Sequence, residues 1–119
     1  MKINMYGITK KVIRKIVEEV YGKEYDEYLV FKIQSTIRNR NNYPELPETK
    51  KYGTYIDLGG FASAIGYLDV TDDKQRELAS RIKQLLIDKG FKVTDSSRDQ
   101  YDETSKLGLG NGASFWFKE

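Results

Sequence analysis

YDEYLVFKIQSTIRNR, residues 25–40, decides whether this chain opens with two helices or with a helix and a strand. As a helix, the stretch places its apolar side chains on one face at four-residue steps: Tyr25, Leu29, Ile33 and Ile37. As a strand, its β-prone YLVF segment alternates between two faces. Asp26 suits an N-cap, and Arg38 and Arg40 lie at the C-terminal end, where the helix dipole favours cations. These end signals favour the helix.

Two further segments predict amphipathic helices. Residues 9–21, TKKVIRKIVEEVY, carry an apolar face of Val12, Ile13, Ile16, Val17 and Val20. Thr9 is the expected N-cap of that helix, and Gly22 follows its end. Residues 71–89 carry a second stripe, formed by Leu78, Ile82, Leu85 and Leu86. This second helix is expected to begin at Thr71 and to close at Lys89-Gly90.

The remaining apolar segments predict strands. They are 52–58 (YGTYIDL), 61–70 (FASAIGYLDV), 91–95 (FKVTD) and 107–119, the last as a hairpin around Asn111-Gly112. The alternative for residues 61–70 is a short helix built on small residues, and the strand is favoured. Gly59-Gly60 predicts a turn, and residues 41–51, which hold both prolines, predict a loop. The sequence therefore predicts a single α+β domain over residues 1–119. Its antiparallel sheet has four or five strands, and two or three helices pack on one face.

Two residue types are missing from all 119 positions, cysteine and histidine. Without cysteine there are no disulfides, thiolate metal sites or cysteine nucleophile. Without histidine the commonest general base and metal ligand is missing. We therefore expect a protein that is not an enzyme and uses no cofactor or metal. No apolar run approaches the roughly 20 residues of a membrane span and no leader is apparent, so a cytoplasmic location without a membrane partner is expected.

Aromatic and basic residues favour a binding role. The chain holds nine Tyr, five Phe and one Trp, and Tyr supplies contact area with little rotamer entropy to lose. The alternative is that several of these tyrosines simply line the rim of a small core. Charge is unevenly distributed, because residues 1–53 carry 11 Lys/Arg against 7 Asp/Glu, whereas residues 54–119 carry 9 against 11.

The candidate binding surface is drawn from two stretches of the chain. Its residues are Lys10, Lys11, Arg14 and Lys15 of the first helix, followed by Arg38, Arg40, Tyr43, Lys50, Lys51 and Tyr52. Cationic side chains neutralise phosphates, and Tyr stacks on unpaired bases. The two stretches converge only if the first two helices lie side by side. Glu45 and Glu48 would oppose a phosphate backbone, so residues 41–51 are interpreted first as a loop.

Three functional hypotheses follow, in order of preference. The first is a non-enzymatic protein that docks on a macromolecular partner, with another protein as the expected partner. One form of this hypothesis is an inhibitor of a nucleic-acid-handling protein. In composition the chain resembles small accessory proteins of phages and mobile elements, many of which act in this way. The second is direct DNA or RNA binding through the basic groups of residues 10–15 and 38–52. The third is a Mg²⁺-dependent enzyme that uses the carboxylates between Asp95 and Glu103.

Overall fold

The computed structural model describes residues 7–64, 72–95 and 113–119. These residues form five helices and three strands. In chain order they are α1 (Lys10–Tyr21), α2 (Glu27–Asn39), α3 (Pro47–Tyr52), β1 (Thr54–Asp57), α4 (Leu58–Ala64), α5 (Asp72–Asp88), β2 (Lys92–Asp95) and β3 (Ser114–Lys118). The strands form one antiparallel sheet in the order β1-β3-β2. The last strand in the chain is therefore the central one.

Helix α1 begins and ends where the sequence predicts. The Thr9 hydroxyl accepts the Val12 N–H at 3.3 Å, and the Gly22 N–H donates to the Glu18 carbonyl at 2.7 Å. Both bonds satisfy backbone groups that a helix terminus leaves without an intrahelical partner. Ile8, just before the cap, and Ile13 are both buried in the core. These are the two sequence positions that a hydrophobic staple uses, one before the cap and one in the first turn.

Residues 27–39 form a helix, which confirms the favoured interpretation of the opening stretch. Asp26 caps α2, because its Oδ1 accepts the Tyr28 N–H at 2.8 Å. The buried side chains are Leu29, Val30, Ile33 and Ile37. Adjacent residues 29 and 30 are both buried, a pattern that one face of a helix accommodates and one face of a strand does not. Burial by the rest of the fold therefore outweighs the β propensity of YLVF.

The long helix α5 confirms the second predicted stripe, since Leu78, Ile82 and Leu86 are buried. Its C-terminal end is closed by the Phe91 N–H, which donates to the Leu86 carbonyl at 2.9 Å. Phe91 is buried against the core directly after this closure. The proposed N-cap Thr71 lies outside the described residues. None of the described helices is long and apolar enough to cross a membrane.

The sheet has an inner face that packs on α2 and α5. In the register of the sheet, Ile56 lies opposite Phe115, and Thr54 and Val93 lie on either side of Phe117. Ile56, Phe115 and Phe117 are fully buried in one cluster with the apolar faces of the helices. Because side chains alternate along a strand, the residues between them point to the other side, the outer face.

The expected count of four or five strands is wrong, because the described residues contain three. The sequence predicts a turn at Gly59-Gly60 and then a strand, whereas residues 58–64 form α4. The Asp57 Oδ1 accepts the Gly60 N–H at 3.0 Å and caps this helix. Leu58 and Phe61, three residues apart, pack on the core, and this burial favours the helix over the strand. Residues 65–70 and the predicted turn at Asn111-Gly112 lie outside the described residues.

The expectation of two or three helices on one face of the sheet is also wrong, because the described residues form five helices that do not share one face. Helix α3 contacts β1 and β3, and its Tyr52 ring lies 6.0 Å from that of Trp116, on the outer face. Part of the predicted loop 41–51 is therefore helical. Leu46 is extended, with φ −88° and ψ 136°, and Pro47 occupies the first helical position, where a missing N–H costs nothing.

Replacement of Gly53 by Ala is expected to be strongly destabilising. Gly53 has φ +98°, and an added Cβ would lie 2.5 Å from the Cβ of Lys118 and still closer to the Phe117 carbonyl oxygen. Gly22 is a matched control, because its φ is +92° but nothing lies within 4 Å of the added carbon. Backbone strain alone costs roughly 1–3 kcal/mol.

Urea unfolding should therefore show a larger loss for Gly53→Ala than for Gly22→Ala, by at least about 1 kcal/mol for the clash. Equal losses in the two variants would contradict the close approach of residue 53 to β3.

Candidate functional site

Four aromatic side chains form a continuous group on the outer face of the sheet, which we call the aromatic face: Tyr43, Tyr52, Tyr55 and Trp116. Tyr55 and Trp116 are directly opposite in the β1–β3 register, with ring centroids 5.0 Å apart. Tyr43 extends the group at 6.1 Å from Tyr55, and Tyr52 extends it at 6.0 Å from Trp116. Tyr43 is the most exposed of the four, at 42%.

A cleft of about 420 Å³ lies beside this group, between α3 and β2. It is lined by Pro47, Glu48, Lys51 and Tyr52 of α3, Thr94 and Asp95 of β2, and Trp116. Trp116 belongs to the central strand, between the α3 wall and the β2 wall of the cleft. It is 8% exposed. The cleft thus joins an aromatic wall to charges of both signs.

Three lysines lie at one end of the outer face, and we call them the lysine end: Lys51, Lys92 and Lys118. Lys92 and Lys118 are paired in the register of β2 and β3. The Lys118 ammonium donates to the Lys51 carbonyl at 3.3 Å, and the Lys51 ammonium lies 5.2 Å from the Tyr52 ring centroid. Within residues 7–64, 72–95 and 113–119, none of the three is paired with a carboxylate.

The free edge of β1 is closed by a single side chain. The Asn42 amide accepts the Tyr55 N–H at 3.1 Å and donates to the Tyr55 carbonyl at 2.8 Å. The Asn41 N–H also donates to the Thr54 hydroxyl at 2.7 Å. Asn42 therefore makes the two hydrogen bonds that a neighbouring strand would make, and an exposed strand edge is otherwise a site for pairing with another chain.

The predicted cations of the first helix divide into two kinds. Lys10, Lys11 and Lys15 are exposed. Arg14 forms a two-point ion pair with Glu27 on α2, with Nη2–Oε2 at 2.6 Å and Nε–Oε1 at 3.3 Å. Hydrogen bonding to Arg14 lowers the pKa of the Glu27 carboxyl, and the same contact raises the pKa of Arg14. Arg14 therefore joins α1 to α2.

Among the predicted residues in 38–52, Arg40 also connects elements of the fold, as Arg14 does. Its side chain is 16% exposed, pairs with Glu119 at 2.9 Å and lies 5.8 Å from the Phe91 ring centroid. It thereby ties the end of α2 to the ends of β3 and α5. Arg38 and Lys50 are exposed. Tyr43, Lys51 and Tyr52 belong to the aromatic face and the cleft.

Helices α1 and α2 lie side by side, which is the arrangement that convergence of the two predicted stretches requires. Helix α3, which carries Lys50, Lys51 and Tyr52, packs instead on β1 and β3. Four residues that complete the outer face are not among those predicted from the sequence: Tyr55, Lys92, Trp116 and Lys118. A signal for them exists, since SFWFK alternates two buried phenylalanines with Trp116 and Lys118. No signal within the sequence indicates that β2 and α3 flank the same strand.

The carboxylates form no metal site in the part of the chain that the structure describes. No group of three or more acidic side chains gathers there. Asp95 accepts a hydrogen bond from Lys83 at 2.8 Å, and most of the acidic stretch from Asp95 to Glu103 lies outside the described residues.

No protein-family model matches this chain, and comparisons with curated proteins and with solved structures give no match either. Function therefore has to be inferred from the surfaces described above. The predicted cytoplasmic location and the single-domain extent over residues 1–119 stay predictions.

The stabilising contribution of Glu27 should disappear in acid. Its folded-state pKa lies below the ordinary value of 4.5 because Arg14 stabilises the carboxylate. A lowered folded-state pKa stabilises the protein above the unfolded-state pKa, and this stabilisation is lost as the pH falls through the folded-state pKa. Glu27→Gln should therefore be slightly less stable than the wild type at pH 7, and the difference should vanish once the pH is well below the folded-state pKa.

Urea unfolding across this range measures the effect, which should be small because both partners are exposed. A difference that stays constant down to the lowest pH would contradict the role of the ionised carboxylate.

The amide of Asn42 should protect the Tyr55 N–H from hydrogen exchange. Asn42→Ala removes both hydrogen bonds, so exchange at Tyr55 should accelerate and the free energy of unfolding should fall by about 1 kcal/mol. Asn42→Asp keeps an oxygen acceptor but loses the donor, so it should retain much of the protection. Equal exchange rates at Tyr55 in all three proteins would show that Asn42 does not close the edge.

Proposed function

We propose that this protein is a non-enzymatic binding module that docks on a protein partner through its aromatic face. The observation that carries the proposal is the run of Tyr43, Tyr55, Trp116 and Tyr52, with neighbouring ring centroids 5.0–6.1 Å apart, on the face of the sheet that does not pack on α2 and α5. Tyr and Trp are the residues most enriched among the energetic hot spots of interfaces.

The rigidity of this face supports the proposal. Trp116 lies on the central strand, whose Phe115 and Phe117 are fixed in the core. Tyr55 is fixed on the edge strand by the amide of Asn42. A surface that is ordered before it binds loses less conformational entropy on association. The aromatic face therefore has the properties of a preorganised docking site.

A protein partner accounts for the face better than a nucleic-acid backbone does. Of the cations predicted for direct nucleic-acid binding, Arg14 and Arg40 are engaged with Glu27 and Glu119. The exposed lysines of α1 belong to a different part of the fold from the aromatic face. Direct binding of DNA or RNA therefore stays a second prediction. Inhibition of a nucleic-acid-handling protein likewise stays a prediction from composition.

Substitutions in the aromatic face should remove a partner that a substitution elsewhere retains. We expect Tyr43→Ala or Tyr52→Ala to weaken the recovery of a specific protein from a nuclease-treated lysate of the source cells by tenfold or more, as for an interface hot spot. Phe31→Ala is the matched control, because Phe31 is an exposed aromatic residue, 51% accessible, on α2. Unchanged melting temperatures would show that the variants are folded.

The proposal fails if the Phe31 variant loses the same protein to the same degree, since that result indicates general adhesion of exposed rings. It also fails if the untreated lysate yields nucleic acid alone and this recovery falls steeply with salt concentration, the behaviour of a protein that binds phosphates.

A further inference from the structure

We propose that the cleft between α3 and β2 receives an acidic segment of the partner protein. In this arrangement an apolar side chain of the segment rests on Trp116, and its carboxylates pair with the lysine end. The inference depends on the proposed docking function and adds the chemistry of the partner to it.

The cleft has the size and the lining of a site for one or two side chains. Its volume of about 420 Å³ is near the lower end of the range of roughly 300–1,000 Å³ typical of ligand sites. Trp116, Tyr52 and Pro47 supply apolar surface, and the Thr94 side chain supplies a polar group. An apolar side chain that displaces water from this surface gains hydrophobic free energy.

The lysine end supplies charge complementarity. Lys92 and Lys118 are paired on adjacent strands, and like charges in this position destabilise a sheet. Lys118 also donates to the backbone carbonyl of Lys51. The Lys51 ammonium lies 5.2 Å from the Tyr52 ring centroid, and Lys51 lines the cleft, so it adds a cation beside the pair. No carboxylate among the described residues is paired with any of the three. An anionic partner would relieve this repulsion.

The aromatic rings are arranged for a peptide and not for a ladder of bases. Neighbouring rings are inclined at 64°, 50° and 46°, so their faces do not form a parallel series. Single-stranded nucleic acid requires open ring faces on which successive bases stack. Glu48 also lines the cleft and would repel a uniformly charged phosphate backbone. A peptide, unlike a phosphate backbone, carries its negative charges only at certain side chains, so its carboxylates can lie at the lysine end and away from Glu48.

Charges along the cleft also define an orientation for the segment. Asp95 is engaged by Lys83 at 2.8 Å, which leaves Glu48 as the acidic wall. Lys92 and Lys118 each lie two residues along their strands from Thr94 and Trp116, a separation of roughly 7 Å. The acidic part of the segment is therefore expected about one such step away from the apolar side chain that rests on Trp116.

The test uses the single tryptophan of the chain, Trp116, as a fluorescent reporter at the site. The purified protein is titrated with a random copolymer of glutamate and tyrosine, with polyglutamate and with oligothymidylate. Excitation at the red edge of the tryptophan band avoids the tyrosine of the probe. The copolymer should change Trp116 emission and bind more tightly than either of the other two polymers.

The decisive variant is Lys51→Gln/Lys92→Gln, and Lys23→Gln/Lys89→Gln is its control, because it removes the same charge from exposed positions outside both candidate binding surfaces. We expect the first pair to weaken copolymer binding by about three- to tenfold and the second by less than about twofold. All of these lysines are exposed, so both variants should fold.

Several results would overturn the inference. They are unchanged Trp116 emission with the copolymer, equal weakening by the two lysine pairs, polyglutamate as effective as the copolymer, or tighter binding of oligothymidylate. The proposed function fails separately. If a protein partner is lost with Tyr43→Ala but retained with Lys51→Gln/Lys92→Gln, the docking face stands and its acidic partner does not.

Discussion

The central strand β3 is the element on which the rest of the structure depends. It pairs with β1 on one side and with β2 on the other, so both edge strands are held by its backbone. Phe115 and Phe117 anchor it in the core among the helices, and Trp116 emerges on the opposite face. Because side chains alternate along a strand, the burial that fixes the two phenylalanines also fixes the position of the tryptophan. Folding and the candidate binding surface therefore share one constraint.

Charged side chains in this protein serve two purposes that the sequence does not distinguish. Arg14 and Arg40 have their guanidinium groups on carboxylates from other elements, and Arg81 pairs with Glu19 between α5 and α1. Exposed pairs of this kind contribute little stability individually, but they engage these three arginines within the fold. The lysines of the outer face have no such partner among the described residues. The candidate site is therefore defined by lysines and aromatic rings, whereas Arg14, Arg40 and Arg81 connect elements of the fold.

About half of the candidate site was accessible from the sequence. Tyr43, Lys51 and Tyr52 lie near one another in the chain, so their proximity follows from local structure. Trp116 and Lys118 reach the same surface from the other end of the chain, through the pairing of β3 with β1. Lys92 arrives through its pairing with β3 as well. Strand order depends on the packing of all elements together, and no local pattern of residues specifies it.

Local patterns of residues are enough to predict α1, α2 and α5, the strands β1 and β2, and the caps at Thr9 and Asp26. Apolar residues recur at helical spacing in the three helices, and polar caps precede α1 and α2, so interactions within each segment favour these helices. The helical conformation of residues 58–64 and the position of α3 on the outer face depend on tertiary packing. Burial of Leu58 and Phe61 and the contact of Tyr52 with Trp116 come from distant parts of the chain. Long-range packing overrides local propensity where the local signal is weak.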